Sequence, residues 1–301
     1  IKKLTTLGKP IIWTLHDLWP ITAICHHPGT CNKYTSLCQN CPQLQKPAPH
    51  DLSYRIWKKK NFLAQSHITF VSVSQWLCNK ARQSNISKTS LNLVIPNTIN
   101  TQIFYHQNRD KIREKLSIPK DKFVILFGAA KLNDPIKGFD LLCHAISLLP
   151  TEQIEKLHLL MFGGIKNDVD FLNTIPCKYT YMGKLSNIST IASLYSAANV
   201  TVVSSHYETF GQTLIESMAC GTTVVSFDQG GQTDIIDHLN NGYLARYPSV
   251  KDLSKGILWA YEQKDNPSLQ DKCIEKVKKT YTEDVIATHY NHLYQKLLLT
   301  K

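Results

Sequence analysis

From about residue 117 the chain alternates short apolar runs with amphipathic helical patterns, and few folds accept that rhythm. "KFVILFGAA" (122–130), "KLHLLMFGG" (156–164), "NVTVVSS" (199–205) and "TTVVSF" (222–227) are apolar without alternation, and "YTYMGKL" (179–185) is a shorter strand. Between them, "KGFDLLCHAISLLP" (137–150, stopped by Pro150), "ISTIASLYSAA" (188–198) and "GQTLIESMACG" (211–221, with Gly221 suited to a C-cap) carry apolar residues at helical spacing. Strands apolar on both faces are buried on both faces. The pattern therefore predicts an α/β chain with a parallel sheet covered by helices on each side.

The first hundred residues follow the same rhythm less completely. "KPIIWTLHD" (9–17) and "HITFVSVS" (67–74) read as strands, with a helix at about 75–84. "LNLVIPNTINTQIF" (91–104) reads as a strand running into a Pro-Asn turn and a polar link. A chain of 301 residues is long enough for two domains with real cores. The expected division is 1–105 for the first domain, 106–283 for the second, and an amphipathic helix over 284–301 that could lie against either. Two or three strands make too little sheet for a free-standing domain. The opening "IKKLTTLGKPIIWTLHD" also reads like the middle of a fold, so the first domain is expected to be incomplete, and a targeting segment is not excluded. No stretch approaches eighteen consecutive apolar residues, which argues against a membrane-spanning helix.

Charge is unevenly distributed. Residues 1–116 hold 16 Lys/Arg against 4 Asp/Glu, and the remainder holds 18 against 19. The excess basicity lies entirely in the first part and points to an anionic partner there. "RIWKKKNF" (55–62) interleaves aromatic and basic residues, a pattern suited to anionic lipid headgroups and equally to a solvated helix face. No nucleic-acid-binding module is recognisable.

Of nine cysteines, four form the cluster Cys25-x5-Cys31-x6-Cys38-x2-Cys41 and five are scattered. A tight cluster ending in CxxC in a chain this large favours metal or free thiols over a disulfide framework, and implies a reducing cytoplasm. Three readings are open at this point: a structural zinc held by Cys25, Cys31, Cys38 and Cys41 (with His26 or His27 able to replace one ligand), reduced thiols, or a disulfide pair. Four thiolates would leave no open coordination position, so the zinc would not be catalytic. Cys78, Cys143, Cys177, Cys220 and Cys273 read as buried apolar residues.

The chemistry concentrates in "HYETFGQTLIESMACGTTVVSF" (206–227). In a doubly wound sheet, ligands bind beyond the carboxyl ends of the strands, where residues 206–210 fall. Backbone N–H groups at Gly211, Gln212 and Thr213, with the positive end of a helix dipole, form a phosphate site. Glu208 would face what the phosphate carries. Glu216, about a turn and a half into the helix, is placed to accept bonds from two vicinal hydroxyls such as a ribose offers. "KLNDPIKGF" (131–139) follows another strand end and supplies Lys131 and Lys137 as counter-charges to a diphosphate. Together these features describe a site for a nucleotide sugar.

The Glu208-x7-Glu216 segment, Lys137-Gly138 and "IPNTINTQIF" resemble the family 4 (group 1) glycosyltransferases of the GT-B fold. "WTLHDLWPITAICHHPGTC…CQNCPQL" is similar to the bacterial branch that builds capsular and extracellular polysaccharides, including colanic-acid-type enzymes. The resemblance implies two Rossmann-like domains facing a cleft, and retaining transfer of a hexose from a UDP- or GDP-sugar without a catalytic metal. The acceptor it implies is a lipid-linked glycan at the inner face of the membrane. By the same resemblance, Glu208 contacts the donor sugar, Glu216 the ribose, Lys137 and Lys131 the diphosphate, and the amides from Gly211 through Leu214 phosphate and sugar. The backbone from Gly183 to Leu185 would hold the base, and His16 would position the donor and stabilise charge. "SS" (204–205) and "GTTVV" (221–225) stand where the family often carries a proline. Two rivals are an inactive fragment that binds the donor without transfer, and a sugar-nucleotide epimerase of the same architecture. The second is disfavoured because only Asp17 and Asp51 are acidic in the first hundred residues.

Overall fold

The computed structural model describes residues 2–166 and 170–299. Residue 1 of the expected first domain and residues 300 and 301 of the expected last helix lie outside them. The chain divides into two compact units: one takes the chain up to Asn97 together with the segment from Ile286 onward, and the other is Thr98–Val285.

The first unit is a three-stranded parallel sheet in the order β1 (Ile11–Leu15), β2 (Ile68–Ser72), β3 (Asn92–Val94). The central strand, β2, is buried along its whole length. Pairing of β3 ends at Ile95, whose N–H still donates to Ser72; Pro96 has no N–H to continue the ladder. Helix α1 (Leu52–Lys60) begins at Asp51, whose carboxylate accepts from Tyr54 N, Ser53 Oγ and Cys41 N, so one side chain caps the helix and anchors the cysteine segment. Helix α2 (Gln75–Gln83) is capped by Ser74 and buries Leu77, Cys78 and Ala81. The last helix, Glu283–Leu299, packs Ile286 and Leu293 against Val71 and Ile95, and its Tyr290 hydroxyl lies 3.0 Å from Thr14 Oγ1.

The second unit holds six parallel strands: β4 (Phe123–Lys131), β5 (Leu157–Gly164), β6 (Tyr179–Tyr181), β7 (Val200–Val203), β8 (Thr223–Phe227) and β9 (Gly242–Ala245). Their spatial order is β6-β5-β4-β7-β8-β9. The helices are α3 (Arg109–Lys115), α4 (Phe139–Ser147), α5 (Thr151–Ile154), α6 (Ile188–Ala197), α7 (Gln212–Ala219), α8 (Gln232–Ile235), α9 (Val250–Glu262) and α10 (Pro267–Thr280). Phe123, Ile125 and Phe127 of β4 pack with Phe139, Leu142 and Ile146 of α4 and with Leu253 and Ile257 of α9. Val124 and Leu126, on the opposite face, are also wholly buried, which is why these strands read as unbroken apolar runs.

Strand β6 is shorter than its apolar run suggests. Gly183 takes a left-handed φ of 69°, and the chain leaves the sheet there. The chain passes from β4 outward to β5 on one side and returns to place β7 on the other. The sheet therefore reverses its direction of growth between β4 and β7, and a crevice opens beyond their carboxyl ends.

A single buried cation ties the opposite end of this unit together. Arg113 of α3 is 2% exposed. Its Nε donates to Ala197 O at 2.8 Å, its Nη1 to the carbonyls of Lys120 and Lys122, and its Nη2 to Asn199 Oδ1 at 2.7 Å. Asn199 Oδ1 also accepts from Val124 N, so the guanidinium fixes where β4 begins relative to α6. Removing it leaves the buried Ala197 carbonyl without a donor and frees the part-buried Lys120 and Lys122 carbonyls, each costing up to about 1–3 kcal/mol. We expect Arg113→Ala to lower unfolding stability by roughly 3 kcal/mol or more, measured by urea denaturation; a loss too small to resolve would mean that water replaces the guanidinium.

Candidate functional site

The crevice between β4 and β7 is built from two loops that are bonded to each other. After β4, Asp134 accepts from Ile136 N and turns the chain through Pro135–Lys137 into Gly138, which has a left-handed φ of 62°. After β7, buried Ser204 donates to Gly138 O at 2.7 Å, and His206 N donates to Ile136 O at 2.8 Å. A Cβ on Gly138 would stand 2.1 Å from Ser204 O, so both the backbone angle and the approach of the second loop demand glycine.

This stitching brings two expected residues into contact. Lys137 Nζ lies 2.6 Å from Glu208 Oε1, and Ser205 Oγ donates to the same oxygen at 2.9 Å. The side chains are 33% and 20% exposed, so the pair is reachable from solvent yet confined. A partly solvated pair of this kind is worth on the order of 1 kcal/mol. A doubly charged anion can therefore take the lysine at small cost and leave the carboxylate for a neighbouring hydroxyl.

Helix α7 starts directly after Glu208. Gly211 stands at its N-cap with no capping side chain, so the first amides face the crevice with the helix dipole behind them. One expected donor is already used: Leu214 N bonds to Gly211 O at 2.9 Å, and the Leu214 side chain is wholly buried. The tight first turn of the helix consumes that amide and leaves those of Gln212 and Thr213.

Further into α7, Glu216 accepts a 2.7 Å bond from Tyr195 Oη of α6. Burial raises the Glu216 carboxyl to about 7, opposed in part by the Tyr195 bond. Burial also pushes the Tyr195 phenol well above its ordinary value, so it remains a donor at neutral pH.

Lys131, the last residue of β4, is exposed, and Gly183 and Leu185 follow β6. All three lie beyond carboxyl ends of the same sheet. Gly183 O accepts from Gly163 N at 2.8 Å, which orients that backbone. In the other unit, His16 is exposed just past the end of β1. Asp17 beside it is structural: it accepts from Trp19 N and pairs with His26 Nδ1 at 2.7 Å.

Sequence reasoning missed the third wall. Gly231 N donates to Glu208 O, and a Cβ on Gly230 or Gly231 would meet the Glu208 or Thr209 carbonyl at 2.2 or 2.4 Å. The "GG" at 230–231 after β8 was the available signal. Ser204, Ser205 and Tyr195 carried none.

The four cysteines of the expected structural zinc site are not gathered as a ligand set among the described residues. Cys25, Cys31, Cys38 and Cys41 are free thiols, and they share one neighbourhood in which their charges would repel. Among the described residues, however, no three Cys, His, Asp or Glu side chains gather as metal ligands. Burial raises Cys25 and pushes Cys38 up to about 12, with neighbouring sulfurs of the cluster adding to the rise. Hydrogen bonds order the segment. Lys33 Nζ bonds to Gln39 O and Asn40 O, Lys60 Nζ to Trp19 O and Thr22 O, and Asp51 to Cys41 N.

A doubly wound sheet with a lysine–carboxylate pair and an uncapped helix N-terminus at its switch point defines an α/β protein of the kind that binds phosphorylated ligands. Residues 108–280 match the family described as "Glycosyl transferases group 1", and the chain belongs to that family. It is 32% identical over 142 residues to a D-inositol 3-phosphate glycosyltransferase of Xylanimonas cellulosilytica, an alignment covering 44% of this chain and 32% of that one. It is 29% identical over 217 residues to a probable sucrose-phosphate synthase of Thermosipho melanesiensis, covering 67% and 47%. The chain thus spans less than half the length of these curated relatives. Its fold is GT-B. The sucrose-phosphate synthase of Thermosynechococcus elongatus superposes with a TM-score of 0.77 at 23% identity, covering 100% of this chain and 71% of that one. Anabaena Alr3699/HepE, solved in complex with UDP, superposes with a TM-score of 0.72 at 17% identity, covering 95% and 72%.

Because Gly138 is held by both angle and contact, we expect Gly138→Ala to destabilise the protein by on the order of 3 kcal/mol. A thermal denaturation midpoint unchanged from the parent would show that the two loops part without penalty.

Proposed function

We propose that this chain acts as a retaining glycosyltransferase, moving a hexose from a UDP- or GDP-sugar to a lipid-linked glycan in the synthesis of a bacterial capsule or other surface polysaccharide. The observation that carries the reading is the Lys137–Glu208 pair, 2.6 Å across, directly ahead of the uncapped α7. In this reading Lys137 turns to the diphosphate with Lys131 near it, and the Gln212 and Thr213 amides cradle phosphate oxygens. Released from the lysine, Glu208 accepts from hydroxyls of the sugar. Glu216 takes the ribose hydroxyls, and the backbone at Gly183–Leu185 meets the base. His16 positions the donor and steadies developing charge.

The reaction breaks the bond between the anomeric carbon and a phosphate oxygen, which leaves with the electron pair. The acceptor oxygen bonds to the same face of the sugar, and its proton passes to the departing phosphate oxygen. The charge that grows on the diphosphate is met by fixed cations and amides, the strongest contribution such a site can make. A uridine donor is favoured because Alr3699/HepE was solved with UDP-glucose as well as UDP. No catalytic metal enters the scheme.

A lipid-linked acceptor places the chain at the inner face of the membrane as a peripheral protein. No helix among the described residues is long and apolar enough to cross a bilayer. On α1, Arg55, Lys58 and Lys59 are exposed and suited to anionic headgroups. Lys60 is not part of that surface, because its ammonium sits 3.7 Å over the Trp19 ring and bonds to two carbonyls.

Calorimetric titration with UDP-, GDP- and ADP-glucose should show binding of one nucleotide class, with Lys137→Ala weakening it about tenfold or more; no binding of any of the three would defeat the reading. Each basic residue near an anionic surface contributes about 1 kcal/mol, so Arg55→Glu/Lys58→Glu/Lys59→Glu should cut partitioning onto phosphatidylserine vesicles at least tenfold. Unchanged partitioning would remove the membrane role and leave the donor site standing.

A further inference from the structure

Glu216 is a partly buried carboxylate with one firm partner. The Tyr195 hydroxyl, on a residue only 1% exposed, donates to Oε2 at 2.7 Å. The phenol is itself held in place. Its ring packs edge-on to Phe162 and tilted against Phe104, each with centroids 6.2 Å away.

We propose that Tyr195 is a positioning residue for the nucleoside ribose: its hydroxyl fixes one oxygen of Glu216, so that the carboxylate presents its remaining acceptor positions to two vicinal hydroxyls. This rests on the reading of Glu216 as the ribose acceptor. A carboxylate is acceptor-only, with about four lone-pair sites, and it takes two donors from a diol even while Tyr195 occupies one of them. A protonated carboxyl must place its own hydrogen, and it loses one of the two bonds to the diol. A phenol donates more strongly to the anion than to the neutral acid and therefore favours the binding-competent form.

The Tyr195–Glu216 site gives donor affinity a pH dependence of definite sign. Burial raises Glu216 to about 7, so the carboxylate is complete above that pH and disappears as pH falls through it. Donor affinity should fall over the same window. The titratable groups acting on Glu216 are Tyr195 from α6 and Cys220 just beyond α7; burial pushes the Cys220 thiol up to about 12, and it stays neutral. No Lys or Arg among the described residues offsets the burial of this carboxylate. Removing the hydroxyl of Tyr195 removes the one bond that lowers it. Its loss should raise Glu216 further and leave less of it ionised at pH 7 than in the parent.

Two measurements test this in the intact chain. The first follows the Glu216 carboxyl carbon by 13C NMR against pH, assigned with Glu216→Gln, in the parent and in Tyr195→Phe; it needs no ligand. The expected result is titration near pH 7 in the parent and at higher pH in the variant. The second measures Kd for UDP-glucose, and for its 2′,3′-dideoxyribose analogue, from pH 6 to 8.5. Tyr195→Phe should weaken UDP-glucose about fivefold at pH 7, with the gap closing at pH 8.5, and the analogue should show neither pH dependence nor sensitivity to the substitution. Identical carboxyl titrations in parent and variant would overturn the positioning role, as would equal pH dependence for the analogue. If UDP-glucose fails to bind the parent at any pH, the ribose role falls together with the proposed function, while the NMR titration still decides whether Tyr195 holds the carboxylate.

Discussion

Two loops leave neighbouring parallel strands, and the contact between Gly138 and Ser204 holds them together. The rest of the site depends on that contact. A parallel sheet that reverses its growth between β4 and β7 sends the following segments to opposite sides, which opens a crevice but leaves its walls unattached. The Ser204 hydroxyl, the His206 amide and the missing Cβ of Gly138 close the walls to a fixed spacing. Lys137 and Glu208, 71 residues apart in the chain, can meet only because of it.

The site is held ready by charges that neutralise each other in a form a ligand can replace. Lys137 and Glu208 share one partly solvated bond. Glu216 is buried more deeply and relies on a phenol rather than a cation. In the proposed reading, this difference suits the two ends of a nucleotide sugar. A diphosphate brings charge enough to displace a lysine, whereas a ribose brings only hydroxyls and needs an acceptor with no competing cation. Arg113 works at the far end of the sheet by the same economy of contacts, satisfying carbonyls that helix and strand ends would otherwise leave bare.

In the first unit, aromatic and basic residues have divided tasks that a linear reading runs together. Lys60 serves the interior through Trp19 and Thr22, while Lys58 and Lys59, its immediate neighbours, face solvent. The cysteine segment is likewise ordered by hydrogen bonds from Lys33 and Lys60 and to Asp51. Spacing alone proposes a ligand set. Whether the sulfurs converge depends on backbone turns that spacing does not encode.

Much of the architecture was legible because burial on both faces writes itself into composition: β4, β5, β7 and β8 are unbroken apolar runs, and the helices between them keep their spacing. Strand β9 was not legible, since "GYLA" is four residues long and has no β-branched member. The strand–loop–helix order around Glu208, Glu216, Lys137 and Gly211 was legible, and it is what made them candidates. By itself, then, the sequence determined the α/β class and which loops leave the carboxyl ends of the strands, because periodicity and strand ends are local properties. Only the tertiary structure decided that Lys137 pairs with Glu208, that the Leu214 amide is spent, that Tyr195 holds Glu216, and that Gly230 and Gly231 press against the Glu208 loop. These contacts join residues from different strands and helices, and a hydrogen bond reaching about 3 Å leaves no trace in the order of the chain.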